Sequence, residues 1–262
     1  MKLFKQRKLS DDQLRTLKAV RTLERGRDTM DRVNAVCDLR DAPEHLHELA
    51  TTMLVRALND PEWLVRAEAI ESLEHVGPPA LVQDVLLTYI EEHPADDTVY
   101  ANPDDDPWPA RCSVAEVLGV IGDANALPAL RRLLEDPADP VRMYAADSLG
   151  LLEDGETSEA LRALTNEHVP IQVSASAAGA LVRLRQPGAG ELLANLTVSV
   201  GVEDAYYPLH VMAFLLSDRP VTLDPPLVDR WLRAAERREG SDDPAIAAEA
   251  RAVIGLLRKL QD

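Results

Sequence analysis

The sequence predicts an all-α fold, a right-handed α-solenoid of about seven helix pairs that forms a single domain over residues 1–262. Three observations predict it. Six segments share one pattern, and they lie at 26–43, 60–77, 105–122, 136–153, 168–185 and 243–260. In each segment, apolar residues follow a shared anchor at three, four and seven positions, which is the spacing of one helix face. Proline or glycine stands at nearly every junction, where helices end.

The aligned segments are predicted to be helices that pack through small side chains. Their anchors are Arg32, Arg66, Arg111, Arg142, Ser174 and Glu249. Three residues later stand Ala35, Ala69, Val114, Ala145, Ala177 and Ala252, and seven residues after the anchor there is always a leucine. Small residues let a neighbouring helix approach closely, and helix pairs repeated in this way stack into a solenoid. A degenerate repeat is expected at 204–218.

The remaining helices alternate with the aligned segments. Ser10 and Gln13 form a capping box, which predicts that a first helix begins after Ser10 and ends at about Arg25. Residues 1–25 are therefore predicted to be a basic tail followed by this helix. Partner helices with their own apolar stripes are predicted at 43–58, 78–93, 124–135, 156–165, 188–199 and 224–239. Each aligned segment therefore has a partner to pack against.

Residues 94–107 interrupt the repeat period with an acidic insertion. The segment holds five aspartates, three prolines and no basic residue, so a loop is predicted. Insertions in solenoids often lie on the binding face, and Tyr100 and Trp108 are therefore candidate anchors for a partner. A solvated loop without a binding role is the alternative.

Charge and composition exclude several classes of function. Asp and Glu number 45 against 28 Lys and Arg, which gives a formal net charge of −17. Because nucleic acids are bound largely through Lys and Arg contacts to phosphate, this chain is not expected to bind DNA or RNA. No apolar stretch is long enough for a membrane span, so no membrane partner is expected. Two cysteines cannot form a disulfide framework, and a cytoplasmic location is expected.

The segment DPADPVRMYAADSLG at 136–150 resembles the bacterial HEAT-like repeat, also called the phycobilisome-lyase HEAT-like repeat. The resemblance covers about residues 26–260. It implies a structural ladder between successive repeats, in which an Asp precedes the anchor Arg by six residues. The pairs that fit are Asp60/Arg66, Asp105/Arg111 and Asp136/Arg142. The pairs Gly26/Arg32, His168/Ser174 and Asp243/Glu249 depart from the pattern, so the ladder is expected to be complete only in the middle.

No catalytic or cofactor-binding motif accompanies the repeat. The sequence lacks the glycine-rich nucleotide loops, the nucleophile elbow and the HExxH zinc motif. Cys37 and Cys112 lie in different repeats and are interpreted as packing thiols. Among HEAT-like families, deoxyhypusine hydroxylase binds iron through repeated His-Glu pairs, but only His47-Glu48 has that order here. The DNA-glycosylase branch of HEAT-like proteins needs a basic concave face, and the net charge of −17 argues against that function here. No cofactor and no metal site are therefore expected.

The resemblance to HEAT proteins implies that the aligned helices line the concave side of the solenoid. Their exposed positions are then about two, five and nine residues after the anchor. These positions include Asn34, Cys37, Glu68, Glu71, His75, Ser113, Glu116, Tyr144, Asp147, Ser176, Gly179 and Arg183. The central repeats would present an acidic strip. The predicted partner-binding residues are Glu68, Glu71, His75, Glu116, Tyr144 and Asp147, together with Tyr100 and Trp108. An ordinary solvated helix face is the alternative.

These observations predict a non-catalytic scaffold or adaptor that binds another protein, expected to be basic, on a concave and partly acidic face. The more specific hypothesis is an immunity-type inhibitor that masks a basic toxin. The alternative, from a different class, is a bilin lyase or lyase subunit acting on a tetrapyrrole chromophore. That alternative follows from the family resemblance.

Overall fold

A computed structural model describes residues 9–94, 108–217 and 220–261. Within these ranges all regular secondary structure is helical, with fourteen α-helices and three short 3₁₀ turns. The all-α prediction is therefore confirmed for the described part of the chain. Tyr100 and nearly all of the predicted acidic loop at 94–107 lie outside the described residues.

The helices follow the predicted order closely. They are α1 Asp11–Arg25, α2 Thr29–Arg40, α3 His47–Ala57, α4 Trp63–Val76, α5 Pro79–Glu92, α6 Trp108–Ile121, α7 Leu127–Leu133, α8 Asp139–Leu151, α9 Ser158–Ala163, α10 Ile171–Arg183, α11 Ala189–Ser199, α12 Tyr206–Ser217, α13 Pro225–Glu236 and α14 Pro244–Lys259. The capping box of α1 is confirmed, because the Gln13 backbone N–H donates to Ser10 Oγ at 3.2 Å and the Ser10 N–H donates to Gln13 Oε1 at 3.0 Å. The degenerate repeat is helix α12.

Consecutive helices in the described ranges pack as seven pairs, in which the second helix is one of the six aligned helices or, in the sixth pair, the degenerate repeat α12. The chain divides into two compact units, residues 1–121 and 122–262. The first unit contains the pairs α1/α2, α3/α4 and α5/α6, and its aligned helices α2, α4 and α6 pack in succession. The second unit contains the other four pairs, with α8, α10, α12 and α14 in succession. A single continuous domain over the whole chain stays a prediction.

The predicted apolar columns form the core in five of the six aligned segments. The leucines of the last column, from Leu39 to Leu181, are completely buried. The register is wrong in α14, where Ala252 is exposed and Leu256 only half-buried. There the buried stripe is one residue later, at Ala250, Val253, Ile254 and Leu257. Asp243 is the N-cap of α14, whereas Asp136 lies three residues before α8 begins, so the two aspartates do not occupy equivalent positions.

Small residues bring the aligned helices of the second unit into close contact. A Cβ atom added to Gly150 of α8 would lie 2.8 Å from the Cα atom of Ala180 in α10. Real Cβ atoms essentially never come this close to backbone. Only glycine therefore fits at this crossing, which agrees with the role predicted for small residues.

The anchor arginines link each repeat to the loop that precedes it. Arg66 Nη1 donates to the backbone carbonyls of Asp60 and Pro61 at 2.7 and 2.8 Å. Arg142 does the same to Asp136 and Pro137, at 2.6 and 3.1 Å, and also pairs with Asp139. Such bonds hold a carbonyl-rich turn against the start of the next helix.

The ladder between repeats includes a rung that the sequence pattern did not predict. Arg32 donates to both carboxylate oxygens of Asp60 in the next repeat, at 2.8 and 3.0 Å, and both side chains are only 10% exposed. The hydrogen bond to Asp60 raises the pKa of the Arg32 guanidinium. Gly26 suggested that the ladder is broken here, but the Asp partner of the rung comes from the following repeat. Gly26 contributes only its carbonyl, which accepts from Arg32 at 3.4 Å.

The second unit has one large core around Trp231. This side chain is fully buried, and its Nε1–H donates to the carbonyl of Gly190 at 2.9 Å. Leucines and a methionine from α11, α12 and α14 surround it. Gly190 also makes room for Leu227, because an added Cβ would lie 2.4 Å from its Cδ2 atom.

Replacing Gly150 by alanine tests the close helix crossing. Gly150→Ala is expected to lower the free energy of unfolding by about 1–3 kcal/mol, because the new methyl group meets backbone that cannot move easily. The matched control is Gly255→Ala in α14, where an added Cβ meets nothing within 4 Å. That change should raise the free energy of unfolding by up to about 1 kcal/mol, since alanine favours helix. Urea denaturation measures both, and equal effects would contradict the crossing.

Replacing Arg32 by alanine tests the buried rung. Arg32→Ala is expected to lower the free energy of unfolding by roughly 3 kcal/mol, because Asp60 is left buried without its counter-charge. The control is Arg15→Ala, which removes an ion pair to Asp38 of similar length at 2.6 Å, but one whose Arg side chain is 54% exposed. Its urea midpoint should stay near that of the wild type. An Arg32→Ala midpoint equally close to the wild type would rule out a structural role for the rung.

Candidate functional site

The acidic strip is present in the first unit as three neighbouring carboxylates on α4 and α6. Glu71, Glu74 and Glu116 are all exposed. Partial burial, followed by the charges of Glu71 and Glu74, raises the pKa of the Glu116 carboxyl. Among the described residues, none of the three forms an ion pair with a basic side chain. This acidic cluster therefore carries negative charge that no neighbouring side chain neutralises. Glu74 was missed by the sequence analysis, although it lies one turn after Glu71 on the same helix.

Unlike the three residues of the acidic cluster, Glu68 forms an ion pair with a basic side chain. One carboxylate oxygen, Oε1, accepts from Arg40 Nη1 and from the Cys37 thiol, both at 3.2 Å. Burial, then the hydrogen bond to Glu68, raises the pKa of the Cys37 thiol to about 11. The thiol is therefore protonated at neutral pH, which agrees with its interpretation as a packing thiol. Glu68 is less available to a partner than Glu71 or Glu116.

One side-chain contact recurs between successive aligned helices. It joins the residue five positions after one anchor to the residue two positions after the next. The three examples are Cys37–Glu68 at 3.2 Å, Ser113–Glu71 at 3.0 Å and Ser176–Asp147 at 3.1 Å. Ser113 and Ser176 are consequently buried, at 5% and 3% exposure, whereas the sequence analysis expected exposed positions. The same face is thus partly a packing seam.

The other predicted partner-binding residues are distributed over both units. Tyr144 and Asp147 share α8 in the second unit and are half-buried. His75 is exposed, but its Nδ1 contacts the Glu71 carbonyl at 3.0 Å and its ring lines a cavity between α3 and α5. Trp108 is half-buried at the first position of α6, as Trp63 is in α4, which agrees with a helix-start packing role.

An aromatic surface on α12 was not predicted. Tyr206 stacks on His210 with ring centroids 5.4 Å apart, and His210 Nδ1 lies 3.1 Å from Glu249 Oε1. The guanidinium of Arg183 lies 5.2 Å from the ring centre of Phe214. The only sequence signal was the run of apolar and aromatic residues in the degenerate repeat, which did not reveal which side chains are exposed.

A furrow runs between the partner helices α3 and α5 of the first unit. Its wider end is a cavity of about 890 Å³ beside the start of both helices, and its narrower end is a cavity of about 270 Å³ beside their ends. Val55 and Val85 line both cavities, so the two lie next to each other. Periodicity did not predict this furrow, because the spacing between two helices is not encoded in the apolar stripe of either.

No group of three or more His, Cys, Asp or Glu side chains within 9–94, 108–217 and 220–261 is arranged to hold a metal ion. Among the helices in these ranges, none combines the length and apolar character needed to cross a membrane.

The described chain consists of stacked helix pairs with one repeated pattern of burial, which is the architecture of a helical-repeat protein. At a finer level, residues 101–182 match the family model of HEAT repeats. This segment therefore carries HEAT repeats, which confirms the HEAT-like resemblance inferred from the sequence. No curated protein matches the sequence.

Solved structures with a similar fold include proteins of different functions. A chain from the complex of CpcE and CpcF of phycocyanin lyase from Nostoc sp. PCC7120 aligns over 98% of both chains, with a TM-score of 0.54 and 17% identity. An engineered protein aligns over 93% of this chain and 68% of its own length, with a TM-score of 0.46 and 19% identity. Human deoxyhypusine hydroxylase aligns over 95% and 97%, with a TM-score of 0.42 and 17% identity. At these identities the likeness concerns the fold alone.

The raised pKa of Glu116 predicts a pH effect on stability. In the window between the ordinary pKa of 4.5 and the raised value, the folded state binds more protons than the unfolded state, so stability falls as pH rises through this window. Glu116→Gln should abolish this loss of stability. We expect the loss in the wild type to be less than about 1 kcal/mol, because the Glu116 carboxyl is partly solvated. Urea denaturation at pH 5 and pH 8 measures it. Glu24→Gln, at an exposed site on α1, is the control, and an identical pH response of both variants would contradict the interpretation.

Proposed function

We propose that this chain is a non-catalytic HEAT-repeat scaffold that binds a basic protein through the acidic cluster of α4 and α6. The observation that carries the proposal is the unneutralised group Glu71, Glu74 and Glu116. Partial burial and, after it, repulsion from Glu71 and Glu74 raise the pKa of Glu116. A Lys or Arg side chain from a partner relieves that repulsion.

The repeat fold supports binding rather than catalysis. Solenoid repeats present extended surfaces that recognise other proteins. Complementary charge raises the association rate and disfavours acidic partners. The most specific form of the proposal is an inhibitor that masks a basic toxin. Only the negative charge of the acidic cluster supports it.

Charge reversal on the acidic cluster tests the proposal. Wild-type protein and Glu71→Lys/Glu116→Lys protein are immobilised, exposed to native cell lysate and eluted with a salt gradient. The expected result is one dominant basic protein on the wild type. Its dissociation constant, measured with the purified partner at low salt, should rise by at least about tenfold in the variant.

The matched control is Glu24→Lys/Glu91→Lys, which changes the net charge equally at exposed positions of α1 and α5. It should retain the partner, because the proposal depends on the position of the charge and not on the total. An equal loss in this control would reduce the effect to net charge. An acidic partner, or a variant whose helical circular dichroism differs from the wild type, would also count against the assignment of this face.

A second candidate is a bilin lyase subunit, supported by the likeness to the phycocyanin lyase chain and by the cavity of about 890 Å³ between α3 and α5. Its test is titration with biliverdin. A shifted visible absorption band that Leu81→Asp abolishes would favour the lyase. An unshifted band would leave the scaffold as the only supported function.

A further inference from the structure

The furrow between α3 and α5 has an apolar floor that the described residues cover only in part. Val76 is buried at its base, Val55 and Val85 line it and are half-buried, and Leu81 lies on its wall with 45% of its surface exposed. In the aligned helices of the same unit, by contrast, Leu39, Leu73 and Leu118 are completely buried. An apolar surface left open between two helices is typical of a site that receives another chain.

The rim of the furrow is acidic. Glu44 and Glu48 line its wider end, and Asp84 and Glu92 line its narrower end. The only Lys or Arg among the lining residues of the two cavities is Arg56. None of the four carboxylates forms an ion pair within the described residues. The furrow is therefore apolar at its base and negatively charged along its edges.

The two helices run in the same direction along the furrow, because the starts of both line the wider cavity and their ends line the narrower one. The eleven residues of α3 make the furrow about 16 Å long, at 1.5 Å of rise per residue. That length matches about three turns of a helix laid between α3 and α5. A partner helix there would bury one apolar stripe against the floor and point its edges at the rim.

We propose that this furrow is a docking site for a basic amphipathic helix of a partner protein, one with an apolar stripe flanked by Lys and Arg. This site lies on the partner helices and is independent of the acidic cluster on α4 and α6. Charge complementarity selects the occupant. A linear tetrapyrrole brings carboxylates to an acidic rim, and a second copy of this chain brings a net charge of −17.

Fluorescence anisotropy with a model peptide tests the proposal. The probe is a labelled Leu/Lys peptide of about 14 residues whose leucines follow helical spacing. Its controls are a scrambled peptide of the same composition and a Leu/Glu peptide with the same spacing. The Leu/Lys peptide should bind wild-type protein at least about tenfold more tightly than either control, because only it matches both the floor and the rim.

Two point variants locate the binding. Leu81→Asp should weaken the Leu/Lys peptide by at least about tenfold, because the charge disrupts the apolar floor. Val120→Asp on α6 is the matched control, since Val120 has the same exposed fraction of 45% and lies outside the furrow. It should leave the affinity unchanged. Equal affinities of the two variants, or equal binding of the scrambled peptide, would overturn the proposal.

Glu44→Lys/Glu48→Lys tests the rim at exposed positions, where folding is not at risk. It should weaken the Leu/Lys peptide and strengthen the Leu/Glu peptide, and the opposite result overturns the proposal. Glu71→Lys/Glu116→Lys should leave peptide binding unchanged, so failure here and failure of the proposed acidic cluster are distinguishable.

Other occupants give different results, each of which overturns the proposal. Displacement of the peptide by biliverdin would assign the furrow to a chromophore. A dimer in sedimentation that Leu81→Asp converts to a monomer would assign it to a second copy. Residues 1–8 also carry Leu3, Phe4 and basic residues. If Leu3→Asp/Phe4→Asp raises the peptide affinity, the chain's own segment occupies the furrow.

Discussion

The close packing of successive aligned helices is the constraint on which the rest of the structure depends. A single helix pair cannot bury its apolar stripe alone, so each repeat is stabilised by its neighbours. This requires small residues where the helices cross, and Gly150 against the backbone of Ala180 is one example. The packing also forces residues at the edge of the stripe, such as Ser113 and Ser176, into contact with acidic residues of the adjacent helix.

The same helix packing also determines which charged side chains have a counter-charge. Where α4 lies against α6, Glu71 accepts from the Ser113 hydroxyl and pairs with no cation among the described residues, whereas Glu68 pairs with Arg40. Anchor residues such as Arg32 are used internally, because they hold the turns between helices. Among the partner helices of the first unit, α3 and α5 leave a furrow between them.

Most of the fold could be predicted because its signals are local. The Ser10–Gln13 capping box and the apolar columns involve residues close together in sequence, and both proved correct apart from α14. The rung from Arg32 to Asp60 joins different repeats, so spacing within one repeat could not reveal it. The face of Glu71 and Glu116 followed from helical geometry, but the neutralisation of Glu68 by Arg40 depends on which helices are adjacent. The furrow depends on interhelical distance, which no local pattern records.

The distribution of tryptophan gives each unit its own optical reporter. Trp63 and Trp108 begin helices in the first unit and are half-buried, whereas Trp231 is enclosed in the core of the second unit. A fully buried indole fluoresces at a shorter wavelength than one in contact with water. Its emission maximum therefore shifts further when the surrounding structure unfolds. The blue component of the emission therefore follows the second unit, and the red component follows the first. The chain contains no other tryptophan to obscure this separation.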